Sequence, residues 1–318
     1  MKSTKAVCLI SVLFLCLGLS TTIFGAEEEN TLRLALLPIP DVLPVYVAQE
    51  RGHFAEQGIL VEALPVGSAV ERDQLLQAER VDGMINEISG AANFNREQNQ
   101  VKIVSIARSP IGDSPLFRLL AAPGSHLKTV ADLADVSIGI SKNTIIEYIS
   151  TRLLEAGSVG PEAIQYKSVP VLPERLQLLL SGQLQAVTLP DPLGASAIQG
   201  GAIEIVNDTA LSSVSASVVT FTNDVLVKKA ETVKKFMVAW DRACADLNSD
   251  PAAFQSLMLK KIRMPKNIAN DYQAPPLPRK EVPTKAQWDD VMAWMLEKKL
   301  LSTPLAYEGS VTSEFLAP

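Results

Sequence analysis

Histidine, cysteine and aromatic residues are scarce in this chain. Its 318 residues include two histidines, three cysteines and 5% aromatics. His53 follows a helical pattern in a turn, and His126 lies in a Ser-His-Leu stretch. Both read as surface residues. Two isolated histidines and dispersed cysteines cannot assemble a structural zinc site. There is no Gly-rich phosphate loop and no Gly-x-Ser-x-Gly elbow. No catalytic residue, metal or cofactor is therefore expected. Cys8 and Cys16 fall within the first 26 residues, which leaves Cys244 without a disulfide partner in the remaining chain. It sits in a helical pattern and reads as a buried thiol. Positive charge is also short: 29 Lys and Arg face 35 Asp and Glu, a net charge of −6. Residues 1–26 hold Lys2, Lys5 and no acid, so the chain after them carries two fewer positive charges. That balance argues against nucleic acid and against an anionic membrane as partners.

What the chain does have begins with an export signal. Lys2 and Lys5 precede an apolar stretch from Ala6 to Leu19, and small residues lead to Gly25-Ala26. This pattern predicts a signal peptide over residues 1–26, cleavage near Ala26 and a periplasmic product. The apolar stretch is shorter than the ~20 residues a membrane span requires. Cys16 follows Leu15, which is not the small residue a lipid-attachment cysteine needs, so lipoprotein anchoring is disfavoured.

The remaining length suggests two domains. Strand-like and helix-like segments alternate twice, once from Leu32 to Ala107 and again from Thr129 to Val206. Such alternation predicts an α/β fold with mainly parallel sheets flanked by helices. The two series share a plan. In both LLQAERVDGMINE and LLLSGQLQAVTLPDP a helix runs through a tight turn into a buried strand that ends in polar residues. From Val225 the pattern becomes helical, interrupted by the proline-rich stretch Pro275 to Pro283.

These segments carry a family resemblance. YVAQERGHFAEQGILVE, GSAVERDQLLQAERVDGMI, TVADLADVSIGIS, RLLEAG and ERLQLLLSGQLQAVTLPDP occur in this order. Together they resemble the nitrate/sulfonate/taurine-type ABC-transporter periplasmic solute-binding proteins. The resemblance implies a two-lobed (type II) periplasmic-binding-protein fold with two chain crossovers, near Phe117–Leu120 and Val218–Phe221. Lobe one would be residues 27–118 plus 218–318, and lobe two 119–217. It implies a monomer that captures a small molecule between the lobes and delivers it to a membrane permease. The chain is also similar to thiamine-pyrimidine synthase-like proteins, which would make it an enzyme, but it lacks their cysteine-rich iron-binding stretch. A sensor domain on the same fold is a third reading.

Ligands of open α/β sheets lie beyond the carboxyl ends of strands. Pro40 and Asp41 occupy such a loop, stiffened by Pro38 and Pro44. Ser68 opens a helix as Ser68-x-x-Glu71, a capping-box spacing. Asn86 and Glu87 end a strand. Ser141, Asn143 and Thr144 lie between a strand and a helix, a position the resemblance associates with ligand contacts. Asp191 ends the last parallel strand of the second series, where it either meets ligand or caps the next helix. These nine residues are the candidate ligand-binding set. Asp41, Glu87, Glu147 and Asp191 make the cleft acidic, with Arg72, Arg108 and Lys142 as available cations. The acids favour a nitrogen-bearing organic ligand over a simple oxyanion. Tyr46, Phe94, Tyr148 and Phe221 are the aromatics that could stack on it or pack in the core.

Overall fold

The computed structural model describes residues 29–211 and 213–318. The expected signal segment and Cys16 lie outside the described residues. In chain order the elements are β1 (Thr31–Leu36), α1 (Leu43–Glu50), α2 (His53–Glu56), β2 (Leu60–Pro65), α3 (Ala69–Gln77), β3 (Gly83–Glu87), α4 (Ile88–Phe94), β4 (Val101–Arg108) and β5 (Phe117–Ala121). They continue with β6 (Ser137–Ile140), α5 (Ile145–Ala156), β7 (Gln165–Ser168), α6 (Leu172–Leu180), β8 (Ala186–Pro190), α7 (Leu193–Gln199), β9 (Ile203–Asn207) and β10 (Ser217–Thr222). The last are α8 (Asn223–Lys228), α9 (Ala230–Ser249), α10 (Gln255–Lys261), α11 (Lys285–Glu297) and α12 (Tyr307–Ser310). Among the described residues no helix is long and apolar enough to cross a membrane.

Two five-stranded sheets form, ordered β2-β1-β3-β10-β4 and β7-β6-β8-β5-β9. Each has four strands in one direction and one against it. β10 runs antiparallel between β3 and β4, and β5 antiparallel between β8 and β9. The stretches where the crossings are expected are these two antiparallel strands. Each apolar run is buried from both faces, Leu119 to Ala121 and Val218 to Phe221, so it belongs inside a sheet. The chain passes between sheets in the short connections before β5 and before β10.

Local chemistry fixes the helix starts. Thr144 caps α5 by accepting from the Ile146 N–H at 3.2 Å. Ser68 accepts from the Glu71 N–H at 3.2 Å, but the Glu71 carboxylate reaches back to the Gly67 N–H instead of closing the box. The reciprocal capping box lies elsewhere, at Thr284 and Gln287, where it opens α11. The helical pattern that begins at Val225 divides into α8 and α9 at Lys229.

One core packs α1, α9 and α10 against sheet one around Phe54, Phe236 and Trp240. A smaller one fills sheet two beneath α6 and α7. The third runs from sheet one through α4 and α11 to α5 and sheet two, with Trp288, Trp294 and Tyr148 in it. Cys244, Tyr46, Phe94, Tyr148 and Phe221 are all buried. His53 departs from the surface expectation. Its side chain is buried, and its Nε2 lies 2.7 Å from the Asp246 carboxylate because α9 folds back over α2.

α11 joins the two halves. Arg152 of α5 donates to Asp290 through Nε and Nη2, at 3.0 and 2.9 Å. The Tyr148 hydroxyl also donates to Asp290, and Lys298 pairs with Glu147. Tyr148 meets Trp294 edge-on at 5.5 Å between ring centres. On the other flank Ser196 of α7 and Asn267 exchange hydrogen bonds of 2.8 and 3.0 Å. Charge-assisted hydrogen bonds contribute about 1.5–3 kcal/mol each. Asp290→Ala should therefore lower unfolding stability by about 2 kcal/mol or more. Urea titration measures this, and an unchanged midpoint would assign α11 docking to apolar contact alone.

Candidate functional site

The candidate residues fall in two groups, one at the carboxyl end of each sheet. In sheet one, Pro40 opens a short 3-10 turn after β1, and Asp41 is buried within it. Asn86 and Glu87 end β3. Across from them β10 begins, with Ser217 opposite Glu87 and Val218 opposite Asn86. Ser217 also pairs with Arg108, the last residue of β4. Backbone register thus gathers Asn86, Glu87, Arg108 and Ser217 around one strand start. Ser68 stands apart, exposed, with its hydroxyl used for the α3 cap.

In sheet two, Ser141 follows β6. The Thr144 hydroxyl donates to the Ser141 carbonyl at 2.7 Å, and the Asn143 N–H donates to Glu147 at 2.6 Å. Asn143 adopts the left-handed backbone, φ 61°, which asparagine tolerates. Asp191 follows β8. It accepts from Arg118 Nε at 2.8 Å and Nη2 at 3.0 Å, and from the Ala195 N–H at 3.1 Å. It therefore both pairs with a cation and caps α7. Gly194 makes room for this: a Cβ there would meet Asp191 Oδ1 and Arg118 Cδ at 2.8 Å.

The strand-end acids already have cationic partners. Arg108 Nη1 lies 3.4 Å from Asp41, Arg72 Nη2 lies 3.5 Å from Glu87, Lys298 pairs with Glu147, and Arg118 grips Asp191. Arg72 and Arg108 were legible as cations. Arg118 and Lys298 were not, because neither neighbours its acid in sequence. Lys142 is exposed. The Arg72–Glu87 contact is the loosest of these pairs, and the Glu87 side chain is 29% exposed.

Several buried polar atoms at the sheet-one end have no partner. They are Asn86 Nδ2, Arg108 Nε and Ser217 Oγ. Asn86 is held by its other end, Oδ1 accepting from the Thr220 hydroxyl at 2.6 Å. Arg108 is held by Asp41 and by the Pro115 carbonyl at 2.7 Å. An open cavity of about 480 Å³ is lined by Arg108, Ser114, Arg118, Asp191, Asn248 and Tyr272, among others. Of the nine candidates only Asp191 lines it. Burial pushes the Tyr272 phenol up to about 12. Sequence reasoning missed Tyr272 and Ser217, which reach this end only through chain reversals. Among the described residues no group of three or more His, Cys, Asp or Glu could hold a metal ion.

Asp208, just after β9, ties the two connections together. Its carboxylate accepts from the Leu116 and Phe117 N–H groups at 3.0 and 3.1 Å.

Two α/β sheets with polar groups gathered at their facing strand ends define the two-lobed periplasmic-binding-protein class. The solved structures agree. The periplasmic aliphatic sulphonate binding protein SsuA from Escherichia coli superposes with a TM-score of 0.74 at 16% identity, over 89% of this chain and 92% of that one. The zinc-bound ligand binding component of an ABC-type import system from Staphylococcus aureus gives 0.73 at 12% identity, over 90% and 97%. The desulfurization enzyme DSZB gives 0.67 at 17% identity, over 90% and 97%, so enzymes share the fold. No curated protein sequence matches the chain. The NMT1/THI5-like family matches residues 39–254, more than half of the chain, and the protein belongs to that family.

Asp208 generates a pH prediction. Burial pushes its carboxyl up to about 6, against the pull of the Ser215 hydroxyl and of its backbone donors. An unfolded Asp titrates near 3.9. The folded state therefore binds this proton more tightly, and the stability it contributes is full below about pH 4 and lost as pH rises through about 6. Asp208→Asn removes the titration. The stability of the unsubstituted protein relative to the variant should fall by about 2–3 kcal/mol between pH 4 and 7. Paired urea titrations across that range test it, and a constant difference would refute it.

Proposed function

We propose that this protein is the extracytoplasmic solute-binding component of an ABC importer. It captures a small nitrogen-bearing organic molecule between its lobes and delivers it to a membrane permease. The observation that carries this reading is the set of partnerless buried polar atoms at Asn86, Arg108 and Ser217. Buried polar groups are paired in folded proteins, and orphans gathered at a strand-end crevice are groups a ligand can complete. Asn86 and Arg108 offer donors, so the ligand presents an acceptor there. Glu87, loosely held and partly exposed, offers the complementary acceptor for a ligand N–H. An N–H heterocycle that also carries a ring nitrogen or carbonyl acceptor supplies both.

In this reading residues 1–26 are a cleaved signal peptide and the mature protein is a periplasmic monomer. Lobe one is residues 27–118 plus 218–318, and lobe two is 119–217. The orphans lie together at the carboxyl end of sheet one, Ser217 as the first residue of β10, so this end binds first and the other lobe closes over the ligand. A binding role is favoured over an enzymatic one by the chemistry of the cleft. Cys244 is buried in α9, and burial raises its thiol far above the usual range, so it is no nucleophile.

Thermal-shift screening over amino acids, pyrimidines, purines, polyamines, sulfonates and nitrate should find a stabilising compound. At a hundred times its dissociation constant the gain is about 2.7 kcal/mol. Glu87→Gln should raise that constant about tenfold and leave the ligand-free melting temperature nearly unchanged. Asp191→Asn should instead lower the ligand-free melting temperature, because Arg118 loses the bidentate one of its two carboxylate partners and keeps only Glu204. A screen with no hit, or full affinity in Glu87→Gln, counts against the reading.

A further inference from the structure

Between α10 and α11 the chain over residues 262–284 forms neither helix nor strand. Connections of that length are uncommon in compact domains and are usually functional. Much of this one is pinned to the sheet-one half. The Arg263 N–H donates to the Pro38 carbonyl at 2.9 Å. Gln255 of α10 donates from Nε2 to the carbonyls of Ala269 and Tyr272, both at 3.0 Å. Asn248 near the end of α9 exchanges two hydrogen bonds of 2.8 Å with the Leu277 backbone. Ala274 joins the core that α1, α9 and α10 share, and the Tyr272 ring packs against it.

Two side chains of this stretch reach the other half. Asn267 is exposed, yet both ends of its amide are spent on α7 of the sheet-two half. It accepts from the Ser196 hydroxyl at 2.8 Å and donates to the Ser196 carbonyl at 3.0 Å. Tyr272 lines the open cavity together with Arg108, Arg118 and Asp191. Burial raises its phenol to about 12, and the charges that act on it are those of Arg108, Asp191, Asp41 and Arg118. Arg108 and Asp41 belong to the strand ends of sheet one, Asp191 and Arg118 to those of sheet two. The phenol therefore stands where the two sets of strand ends meet.

We propose that residues 263–276 are a strap that closes one flank of the cleft, with Asn267 as its clasp on α7 and Tyr272 as the side chain it holds between the two sheets. The clasp consists of neutral hydrogen bonds, which an exposed amide can exchange for water at small net cost. The anchors on the sheet-one half are more numerous. The strap therefore stays with that half when the clasp opens, and it draws Tyr272 away from Arg118 and Asp191. On the opposite flank the Asp290 cluster is charge-assisted and backed by Trp294, so it holds while the strap flank parts. The strap goes beyond the binding reading, because it sets how the protein rests with nothing bound.

The test uses the ligand-free protein. Amide hydrogen exchange read by mass spectrometry follows the strap and α7, and small-angle scattering follows separation of the halves. Asn267→Ala should speed exchange about tenfold or more both in residues 263–276 and in α7. It should also raise the radius of gyration and leave α5 and α11 as protected as before. Ser196→Ala removes one of the two clasp bonds and should act in the same direction by less. Acetylation of the Tyr272 phenol by N-acetylimidazole, located by peptide mapping, should quicken in Asn267→Ala. Faster exchange confined to residues 263–276 with an unchanged radius would make Asn267 a local loop contact and overturn the proposal. Unchanged exchange in both segments, or unchanged reactivity of Tyr272, would do the same. Protection lost throughout the chain would assign the contact to global stability and also overturn it. None of these measurements involves a ligand, so the binding function stands or falls separately.

Discussion

Charges at the strand ends of this protein are taken out of water, and that constraint organises the cleft. Asp41, Arg72, Arg108, Glu147, Arg175 and Asp191 are all buried. Desolvated charges require partners at hydrogen-bonding distance. Most find them across long sequence separations: Arg118 reaches Asp191, Arg108 reaches Asp41, and Lys298 reaches Glu147. Each pairing fixes the position of a strand end, and the strand ends are where the two sheets face one another. What is left unpaired after this settlement is small and local. It consists of hydrogen-bonding atoms around the start of β10.

The antiparallel strands make that arrangement possible. A parallel strand begins at the far end of its sheet, whereas β10 enters sheet one at the carboxyl ends of β3 and β4. Its first residues therefore lie in the crevice itself, and Ser217 stands between Glu87 and Arg108. β5 does the same for sheet two, which brings Arg118 beside Asp191. Asp208 then holds the incoming and outgoing connections together through two backbone N–H groups. α11 adds a second tie on one flank, where Asp290 collects Arg152 and Tyr148, and Asn267 adds a third on the other. The halves are thus joined by polar contacts on both flanks, together with the apolar core around Trp288, Trp294 and Tyr148 that runs between the sheets.

Much of the architecture could be read from pattern. The alternating segments, the turns at Gly52, Gly157 and Gly182, and the polar residues closing β3 and β8 follow from periodicity and turn chemistry. Four parallel strands per sheet were legible for the same reason. α4 was hidden because Ile88 to Phe94 is short and buried on most sides, so no helical stripe shows. His53 was misplaced because its environment depends on α9, almost two hundred residues later in the chain.

The sequence by itself determined the elements, the two-sheet plan and the kinds of polar residue placed at strand ends, because these depend on local propensity and on the spacing of apolar residues. Only the tertiary structure decided which charges neutralise one another. Ion pairing is a matter of distance in space, and the partners here lie tens to hundreds of positions apart. It also decided that Asp191 is gripped by an arginine while Glu87 is left loose. That difference turns two similar halves into a cleft with unlike walls.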